Sequence, residues 1–306
     1  MPQNVTALDY LYMGCYWPFW KLKSIKVAFE ISENAHDLML FRLGLKRRIK
    51  VKLKSGKCVE IKDNNDYATF WSGDIAQREL NRLRYGNVRH TKNVLETTLF
   101  GKRMLYYYNS PKIFGGSVES NLSMEKDYNE LNVKGRDVVD IGAYIGDTAI
   151  GFVFKGAKHV YAFEPFSIPY AIAVRNVRLN KLSKNITVLK EACGCEPTGS
   201  DLCVKPENKS KVTTLYKIVH RYGLHDAVLK LDCEGCEYNL ILNSDGKTLR
   251  AFKHIFIEYH HGYLDLKRKL VDEGFIVKNT RPKYTYNGLA RDSKMYRGYL
   301  FASLDT

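Results

Sequence analysis

The stretch VVDIGAYIGDTAI, residues 138–150, combines a short apolar run, two glycines and the start of a helix. Its apolar run, Val138 to Ile141, lacks the polar alternation of a half-exposed strand and is typical of a strand covered on both faces of a parallel sheet. The residues that follow the second glycine, Thr148 to Phe154, have helical periodicity. The stretch therefore predicts the first strand, loop and helix of a parallel sheet that begins near Asp137.

Short apolar runs continue beyond this stretch, at intervals that suit strands separated by helices. A second helix is predicted over Ile168 to Leu179. Further strands are predicted at His159–Phe163, Ile186–Leu189, Val228–Leu231, His254–Ile257, Gly274–Val277 and Tyr296–Ala302. Short apolar strands with helical crossovers indicate an α/β fold with a mostly parallel sheet. The last two strands are separated by a polar stretch without helical period, so we expect them to pair antiparallel at one edge.

The first third of the chain has a different pattern. Ala28 to Leu43 predicts a helix, and Ile49 to Ile61 predicts a hairpin, because apolar and polar residues alternate on both sides of Ser55-Gly56. Lys102 to Tyr108 predicts another strand, which ends at Asn109-Ser110-Pro111. We therefore expect an α+β accessory region over residues 1–125, which could contribute to substrate binding, and a sheet domain over residues 126–306.

The loop after the first strand does not suit a phosphate-containing ligand. In an open parallel sheet the ligand lies beyond the carboxyl ends of the strands, where Gly142 and the residues after it are found. A dinucleotide fingerprint would place glycine at positions 142, 144 and 147, but Tyr144 and Asp147 occupy the last two. At the start of a helix, Asp147 would cap the backbone amides itself and repel a phosphate. The sequence therefore predicts a ligand without phosphate.

S-adenosylmethionine is such a ligand, with a sulfonium cation, an amino acid moiety, a ribose diol and an adenine. Gly142 and Gly146 would let the backbone approach it, and Asp140 would face its cationic end. Glu164, which ends the second strand before Pro165, is placed to accept hydrogen bonds from both ribose hydroxyls, as an acidic residue does in related nucleotide sheets. The alternative is a tight turn in a flavodoxin-like sheet.

Three segments resemble the FkbM family of methyltransferases, namely VVDIGAYIGDTAI from Val138, GAKHVYAFEPFSIPYAIAVRNVRLN from Gly156 and LKLDCEGCEYNLI from Leu229. The similarity runs from about residue 125 to residue 260. It implies a Rossmann-like class I methyltransferase fold with a mostly parallel seven-stranded sheet, and S-adenosyl-L-methionine as methyl donor. It also implies O-methylation of hydroxyls on sugars or polyketides.

The sequence departs from the family at three positions. Tyr144 stands where members typically carry asparagine, and Cys233 and Cys236 stand where small apolar residues are usual. In the fold that the resemblance implies, the third strand ends near the adenine, which makes Glu191 and Ala192 secondary candidates; a solvent-exposed Glu191 is the alternative. The predicted cofactor-binding residues are Asp140, Gly142, Tyr144, Gly146, Asp147, Thr148, Glu164, Pro165, Glu191 and Ala192.

Three acidic residues follow the fourth strand, where a methyltransferase of this architecture brings the methyl group to its acceptor. Asp232 ends the strand and could accept the proton of the acceptor hydroxyl, and Glu234 is the second candidate. Glu237 is equally well explained as a cap of the next helix. We therefore predict a catalytic role for Asp232 and Glu234.

The fifth strand ends in Glu258-Tyr259-His260-His261. Either histidine could serve as a base near neutral pH, and we select His260 as the third catalytic residue. The alternative for both histidines is a place on the surface, which is typical of two adjacent histidines at a strand end. Glu258 and Asp232 could hold a divalent metal through carboxylate oxygens, but this is the less favoured reading. We predict no metal.

Seven cysteines, an odd number, argue against a disulfide framework. Five of them lie between residues 193 and 236, namely Cys193, Cys195, Cys203, Cys233 and Cys236. The cluster could supply four thiolates to zinc, but the acids around Cys233 and Cys236 would add unneeded negative charge. We therefore predict small buried thiols that pack as alanine or valine would, and no zinc.

The composition sets a bias among substrates. There are 48 Lys and Arg against 33 Asp and Glu, a net charge of +15 that would attract anionic partners. Lys50, Lys52 and Lys54 alternate with Val51 and Leu53, which indicates the solvent-facing side of a strand rather than a nucleic-acid stripe. We favour a glycan, glycolipid or other small-molecule acceptor. An RNA methyltransferase is the alternative, and a binding module without catalysis is the third hypothesis.

An apolar stretch near the start of the sequence is relevant to where in the cell the protein is located. Its longest apolar stretch, Ala7 to Trp20, contains Asp9 and is shorter than the ~20 residues that span a bilayer. The lysines follow this stretch, opposite to the order in a secretory signal. We therefore predict a cytoplasmic protein without a transmembrane segment. A helix buried against the domain is favoured for this stretch, and peripheral contact with a membrane surface is the alternative.

Overall fold

The computed structural model describes residues 4–6, 8–9, 25–72, 75–76, 79, 89–91, 93–107, 128, 130–194, 211–286 and 294–304. The chain forms two compact units. The larger comprises Met1–Met13, Leu99–Tyr107 and Met124–Thr306, and the smaller comprises Gly14–Thr98 and Tyr108–Ser123. The domain division into residues 1–125 and 126–306 stays a prediction. None of the helices in these described ranges is both long and apolar enough to span a membrane.

Strands and helices alternate through most of the larger unit. The strands in the described ranges are β1 (Ile49–Lys52), β2 (Cys58–Ile61), β3 (Arg89–Thr91), β4 (Val94–Leu99), β5 (Lys102–Tyr107), β6 (Asp137–Ile141), β7 (His159–Phe163), β8 (Ile186–Leu189), β9 (Glu191–Cys193), β10 (Lys211–Thr213), β11 (Ala227–Leu231), β12 (Phe252–Tyr259), β13 (Ile276–Asn279), β14 (Lys283–Tyr286) and β15 (Lys294–Ser303). Residues 25–31 are helical and adjoin residues outside the described ranges. The helices whose bounds lie within those ranges are α1 (Ala35–Arg42), α2 (Asn64–Ser72), α3 (Asp147–Phe154), α4 (Ser167–Leu179), α5 (Leu215–Tyr222), α6 (Cys236–Leu242), α7 (Gly246–Leu249) and α8 (Leu264–Asp272).

Seven strands run from edge to edge of the central sheet, in the order β8-β7-β6-β11-β12-β15-β13. Neighbouring strands are parallel except at β15, which pairs antiparallel with both β12 and β13. The prediction of a mostly parallel seven-stranded sheet with an antiparallel edge is confirmed. This is the class I methyltransferase fold that the resemblance implied.

The strand order places the functional edge of the sheet. The strand order reverses at β6, because the strands that follow it in sequence, β7 and β8, lie on one side of it and β11 and β12 lie on the other. The carboxyl ends of the parallel strands β6, β7, β11 and β12 meet at one edge. All five residues of β11 are buried, which is why this strand reads as an apolar run. The site is therefore expected in the loops beyond these four strand ends.

Two asparagines attach β5 to helix α4 within the larger unit. The side chain of Asn176 accepts a hydrogen bond from the backbone N of Tyr107 at 2.6 Å. The side chain of Asn180 accepts from the backbone N of Leu105 at 2.9 Å and donates to its carbonyl at 2.7 Å. The predicted strand from Lys102 is confirmed to Tyr107, and Tyr108 to Pro111 lie outside the described residues.

Five short strands are absent from the sequence-based prediction, namely β3, β4, β9, β10 and β14. β9 and β10 pair in parallel beside the main sheet, and β14 pairs antiparallel with β15. β9 and β10 each have three residues, too few for an apolar period to be recognised. β14 has the sequence KYTY, in which polar and aromatic residues alternate, and this is the pattern that should have identified it.

The smaller unit confirms the hairpin and corrects the first helix. β1 and β2 are antiparallel with Ile49 opposite Ile61, as predicted. The single helix predicted over Ala28 to Leu43 is wrong, because residues 25–31 and α1 are separate helices. The side chain of Asn34, between them, donates to the carbonyl of Lys50 and accepts from the backbone N of Lys52, both at 2.8 Å. These bonds attach the break to the hairpin.

The basic side of the hairpin faces solvent. Lys50 and Lys52 are exposed while Ile49 and Val51 are buried, so β1 is two-sided as predicted. Lys54, the next lysine along this side, is also exposed.

Candidate active site

The loop between β6 and α3 needs glycine for reasons internal to the protein. Gly142 and Gly146 both have φ of +81°, a left-handed conformation. A Cβ on Gly142 would lie 1.8 Å from the carbonyl oxygen of Asp232, and a Cβ on Gly146 would lie 3.2 Å from the Cβ of Ala173. The two glycines therefore let this loop pack against the end of β11 and against α4, a reason that the sequence reading did not include.

Glu164 and Tyr144 join the ends of β7 and β6. The backbone N of Tyr144 donates to Oε2 of Glu164 at 3.0 Å, and that of Phe166 donates to Oε1 at 2.9 Å. Each oxygen keeps capacity for a further donor, because a carboxylate has about four acceptor positions. Burial raises the pKa of Glu164 to about 7, and the two N–H groups offset part of that effect. Glu164 is therefore a buried acceptor with remaining capacity, beside Pro165.

Tyr144 has a positive φ of 46° and a partly exposed side chain. Asparagine adopts this left-handed region more readily than an aromatic residue. This accounts physically for the asparagine that is typical of the family here. The next residues are buried: Asp147 is the first residue of α3, and Thr148 follows it.

Asp140 is buried in a small polar network that the sequence reading missed. Its carboxylate lies 3.1 Å from Nζ of Lys230 and accepts from Oγ1 of Thr148 at 2.5 Å. Lys230 also donates to the carbonyl of Gly142 at 3.1 Å and lies 3.9 Å from the carboxylate of Asp232. Burial alone would lower the pKa of Lys230, but Asp140 and Asp232 outweigh burial and raise it. Lys230 thus links the ends of β6 and β11.

The signal for Lys230 was present in the sequence. It is the charged residue within the apolar run Val228 to Leu231, and a lysine there must find a buried partner. Its partner Asp140 was predicted to face the cationic end of the cofactor. The structure places the carboxylate of Asp140 against Lys230 and Thr148, with no exposed surface. A contact of Asp140 with the cofactor stays a prediction.

The predicted catalytic residues meet at one point. Asp232, Glu234 and His260 each offer one atom to a group whose members lie within 4.8 Å of one another. Nε2 of His260 is 3.4 Å from Glu234 and 3.8 Å from Asp232. The side chain of His260 is fully buried, whereas those of Asp232 and Glu234 are 30% and 54% exposed. The two acids therefore face the open side and the histidine lies behind them.

Glu237 fixes the orientation of His260. Its Oε1 lies 2.6 Å from Nδ1 of His260, and its Oε2 accepts from the backbone N of Gly235 at 2.6 Å. Burial would lower the pKa of His260, but the bond to Glu237 and the charges of Glu234 and Asp232 raise it to about 9. Glu237 thus accepts a backbone N–H at the start of α6, as the cap reading predicted, and also holds the histidine.

The alternatives at the end of β12 are separated by geometry. His261 is not in the cluster; burial, followed by the charge of His260, lowers its pKa. Glu258 accepts a hydrogen bond from Nε of Arg297 at 3.1 Å. The metal-binding alternative of Glu258 with Asp232 therefore does not match the group that the structure assembles.

Cys233 and Cys236 form a disulfide, with their Cα atoms 5.5 Å apart. The prediction that both are free packing thiols is therefore wrong. The turn between them has positive φ at Glu234 and Gly235, which brings the ends of the four-residue segment close enough to bridge. Cys193 is free, and burial raises the pKa of its thiol. Cys15, Cys195 and Cys203 lie outside the described residues.

The secondary cofactor candidates lie in β9. Glu191 is buried, so the alternative of a solvent-exposed Glu191 is wrong. Its two oxygens accept from one guanidinium nitrogen of Arg221, at 3.1 and 2.9 Å, and Lys211 lies 3.4 Å away. Ala192 is partly buried beside it. A contact of either residue with the adenine stays a prediction.

Two sequence comparisons found similar proteins. A family model described as the methyltransferase FkbM domain matches residues 140–277. Uncharacterized protein 158B of Sulfolobus islandicus rod-shaped virus 1 is 32% identical over 146 residues, which are 47% of this chain and 74% of the viral protein.

Two solved structures illustrate the range of similar proteins. Methyltransferase FkbM from Methylobacillus flagellatus KT is 19% identical, over 63% of this chain and 54% of that chain, with a TM-score of 0.41. M. jannaschii TYW2 in complex with AdoMet is 17% identical, over 70% of this chain and 87% of that chain, with a TM-score of 0.40. Over residues 140–277 this chain therefore matches the methyltransferase FkbM domain, the family that its sequence resembles.

Proposed function

We propose that this chain transfers a methyl group from S-adenosyl-L-methionine to a hydroxyl of a glycan, a glycolipid or another small molecule. The observation that carries the proposal is the arrangement at one edge of the sheet. Glu164 ends β7 as a buried acceptor, and the cluster of Asp232, Glu234 and His260 lies beyond β11 and β12. Glu164 suits a ribose diol, and the cluster suits an acceptor hydroxyl that must lose its proton.

Glu164 is the residue best suited to the donor. Its oxygens are buried, each accepts one backbone N–H, and each can accept one more hydrogen bond. A ribose diol offers two O–H donors at the spacing of one carboxylate. When bound, S-adenosyl-L-methionine supplies a methyl group on a sulfonium. Gly142, held by Lys230 through its carbonyl, would line the approach, so Asp140 would act by positioning Lys230.

Asp232 is the residue best suited to accept the acceptor proton. Its side chain is 30% exposed and directly follows β11, so an incoming hydroxyl can reach it. Glu234 is more exposed and would help to hold the acceptor. His260 is buried and held by Glu237, which suits a positioning residue better than a base that touches the acceptor. Asp232 would take the hydroxyl proton while the oxygen–carbon bond forms and the carbon–sulfur bond breaks.

RNA is the second candidate acceptor, and one observation favours it. The net charge is +15, and the lysines of β1 are exposed. Counterion release from a nucleic acid would make such binding strongly dependent on salt. Small-molecule acceptors remain favoured because the acid cluster would repel a phosphate backbone at the site itself. The cytoplasmic location and peripheral membrane contact stay predictions.

The acceptor class is tested with methyl-labelled S-adenosyl-L-methionine and a cell extract. The extract is divided after the reaction into lipid, polysaccharide, small-molecule and RNA fractions. We expect label in one of the first three fractions, insensitive to ribonuclease. Label confined to ribonuclease-sensitive material would establish the RNA alternative. Tight binding of the cofactor with no label in any fraction would indicate a binding module.

A further inference from the structure

The cluster of Asp232, Glu234 and His260 has the dimensions of a metal site. Its three atoms lie within 4.8 Å of one another, and Nε2 of His260 is 3.4 and 3.8 Å from the two carboxylates. Divalent metals bind such ligands at about 2.0 to 2.2 Å, so ligands of one ion lie about 3 to 4.3 Å apart. Both distances from Nε2 already lie in this range.

An independent observation concerns Nε2 of His260. This atom is buried, and nothing in the part of the chain that the structure describes hydrogen-bonds to it. A buried polar nitrogen without a partner is unfavourable in a protein interior. Because Nε2 is directed at both carboxylates from a fully buried ring, its missing partner belongs in the space between them.

The other nitrogen of the ring is fixed as in known metal sites. Nδ1 of His260 contacts Glu237 at 2.6 Å, and Glu237 is itself fully buried and bonded to the backbone of Gly235. A carboxylate on the distal nitrogen of a metal-binding histidine sets the tautomer and directs the free lone pair to the metal. Glu237 would therefore leave Nε2 as the ligand atom, from which an incoming ion would displace the proton.

The local charge also favours a cation. Three carboxylates, those of Asp232, Glu234 and Glu237, surround one imidazole. Lys230 lies closer to Asp140 than to Asp232, at 3.1 Å against 3.9 Å, and Arg297 is hydrogen-bonded to Glu258. A divalent ion would compensate this excess of negative charge.

We propose that Asp232, Glu234 and His260 bind one divalent cation of the Mn²⁺ or Zn²⁺ class. Two carboxylates and one imidazole suit these ions better than Mg²⁺, which prefers oxygen ligands alone. Three ligands leave coordination positions open towards the exposed side of the acids. If the proposed function holds, the hydroxyl oxygen of the acceptor can occupy one position, where the ion makes its proton easier to remove.

The site is tested by titrating chelator-treated protein with Mn²⁺ and, separately, with Zn²⁺, in the absence of cofactor and acceptor. Calorimetry is expected to find one ion per chain. Glu234→Gln and Asp232→Asn should each weaken binding about tenfold or more, because each removes one charged ligand. Glu130→Gln is the matched control: its carboxylate, like that of Glu234, is largely exposed, at 59%, and it should bind as the wild type does.

A spectroscopic measurement identifies the histidine. Electron spin echo modulation of bound Mn²⁺ should show one imidazole nitrogen, and His260→Gln should remove it. If that variant does not fold, the result for Glu234→Gln, checked for folding by circular dichroism, still decides the matter. The proposed site would be overturned if the wild type bound neither ion. It would also be overturned if both acid variants bound the ions as tightly as the wild type does. These experiments measure no methyl transfer, so absence of metal binding would not contradict the proposed methyltransferase function. Absence of methyl transfer would likewise not contradict the metal site.

Discussion

Glu164 illustrates how much one side chain can determine at this site. Its side chain is buried, with 4% of the residue exposed, and each carboxylate oxygen accepts one hydrogen bond from a backbone N–H group of a neighbouring loop. Burying a carboxylate is unfavourable unless its oxygens are hydrogen-bonded, and here they are bonded only in part. A ligand diol would complete the bonding, so the unfavourable burial is consistent with a binding role.

Glu164→Ala should weaken binding of S-adenosyl-L-methionine by about 3 kcal/mol, or about 100-fold, because two hydrogen bonds to a charged acceptor are lost. Isothermal calorimetry measures the affinity, and Glu130→Ala is the exposed control. We expect the variant to remain folded. An unchanged affinity would remove Glu164 from the cofactor site.

The raised pKa of Glu164 predicts a pH dependence for the same binding. Its pKa is about 7 in the folded protein, so the carboxyl is increasingly protonated below that pH and loses acceptor capacity. A ligand that prefers the ionised form should bind more tightly as pH rises through about 7. Below it, affinity should fall by up to about tenfold per pH unit. Titrations from pH 6 to 8 should show this slope in the wild type and not in Glu164→Gln; equal slopes would contradict the assignment.

At the scale of elements, the loop after β6 is fixed by its contact with the end of β11. Gly142 approaches the carbonyl of Asp232 so closely that any side chain must push the two strand ends apart. The same loop carries the backbone N that holds Glu164. Packing of these elements and cofactor binding are therefore coupled.

Gly142→Ala should lower the free energy of unfolding by about 3 kcal/mol, the sum of a left-handed backbone and a steric overlap. Gly223→Ala separates the two effects, because Gly223 also has a positive φ of 59° but has no atom within 4 Å of its Cβ position. That control should lose only about 1 kcal/mol. Urea denaturation measures both, and equal losses would show that the contact with Asp232 is unimportant.

The sequence predicted best the consecutive elements from α3 to β8. β7 and β8 match their predicted bounds, and α3 and α4 each begin one residue before the predicted start. Their positions were predictable because their apolar patterns are strong. The helix over Ala28 to Leu43 failed because its pattern continues through the break at Asn34, whose bonds to β1 are not local in sequence.

The same distinction between local pattern and tertiary contact applies to the residues of the site. The positions of Glu164 and Asp232 follow from strand ends, which a pattern can locate. The partnership of Asp140 with Lys230, and that of Glu237 with His260, depends on the pairing of β6 with β11 and on contact between α6 and the end of β12. The spacing of Cys233 and Cys236 suits a metal, packed thiols or a disulfide equally, so the turn geometry was needed to decide.

At the scale of the whole molecule, the charge is uneven in a way that concerns substrate choice. The net charge is +15, but the candidate acceptor site presents two partly exposed carboxylates. Long-range attraction would draw anionic molecules to the protein, while the site itself favours a neutral hydroxyl. A neutral reacting group on an anionic carrier, such as a phosphate-linked glycan, would satisfy both.

We expect the sheet edge of this chain to bind the methyl donor on one side of β6 and to activate a hydroxyl on the other. The most direct test compares the wild type with Asp232→Asn, using labelled S-adenosyl-L-methionine and the extract fraction that the wild type methylates. We expect nearly unchanged donor affinity and transfer reduced about 100-fold or more, because the carboxylate is lost while its shape is kept. Full transfer by Asp232→Asn, or no binding of the donor by the wild type, would contradict it.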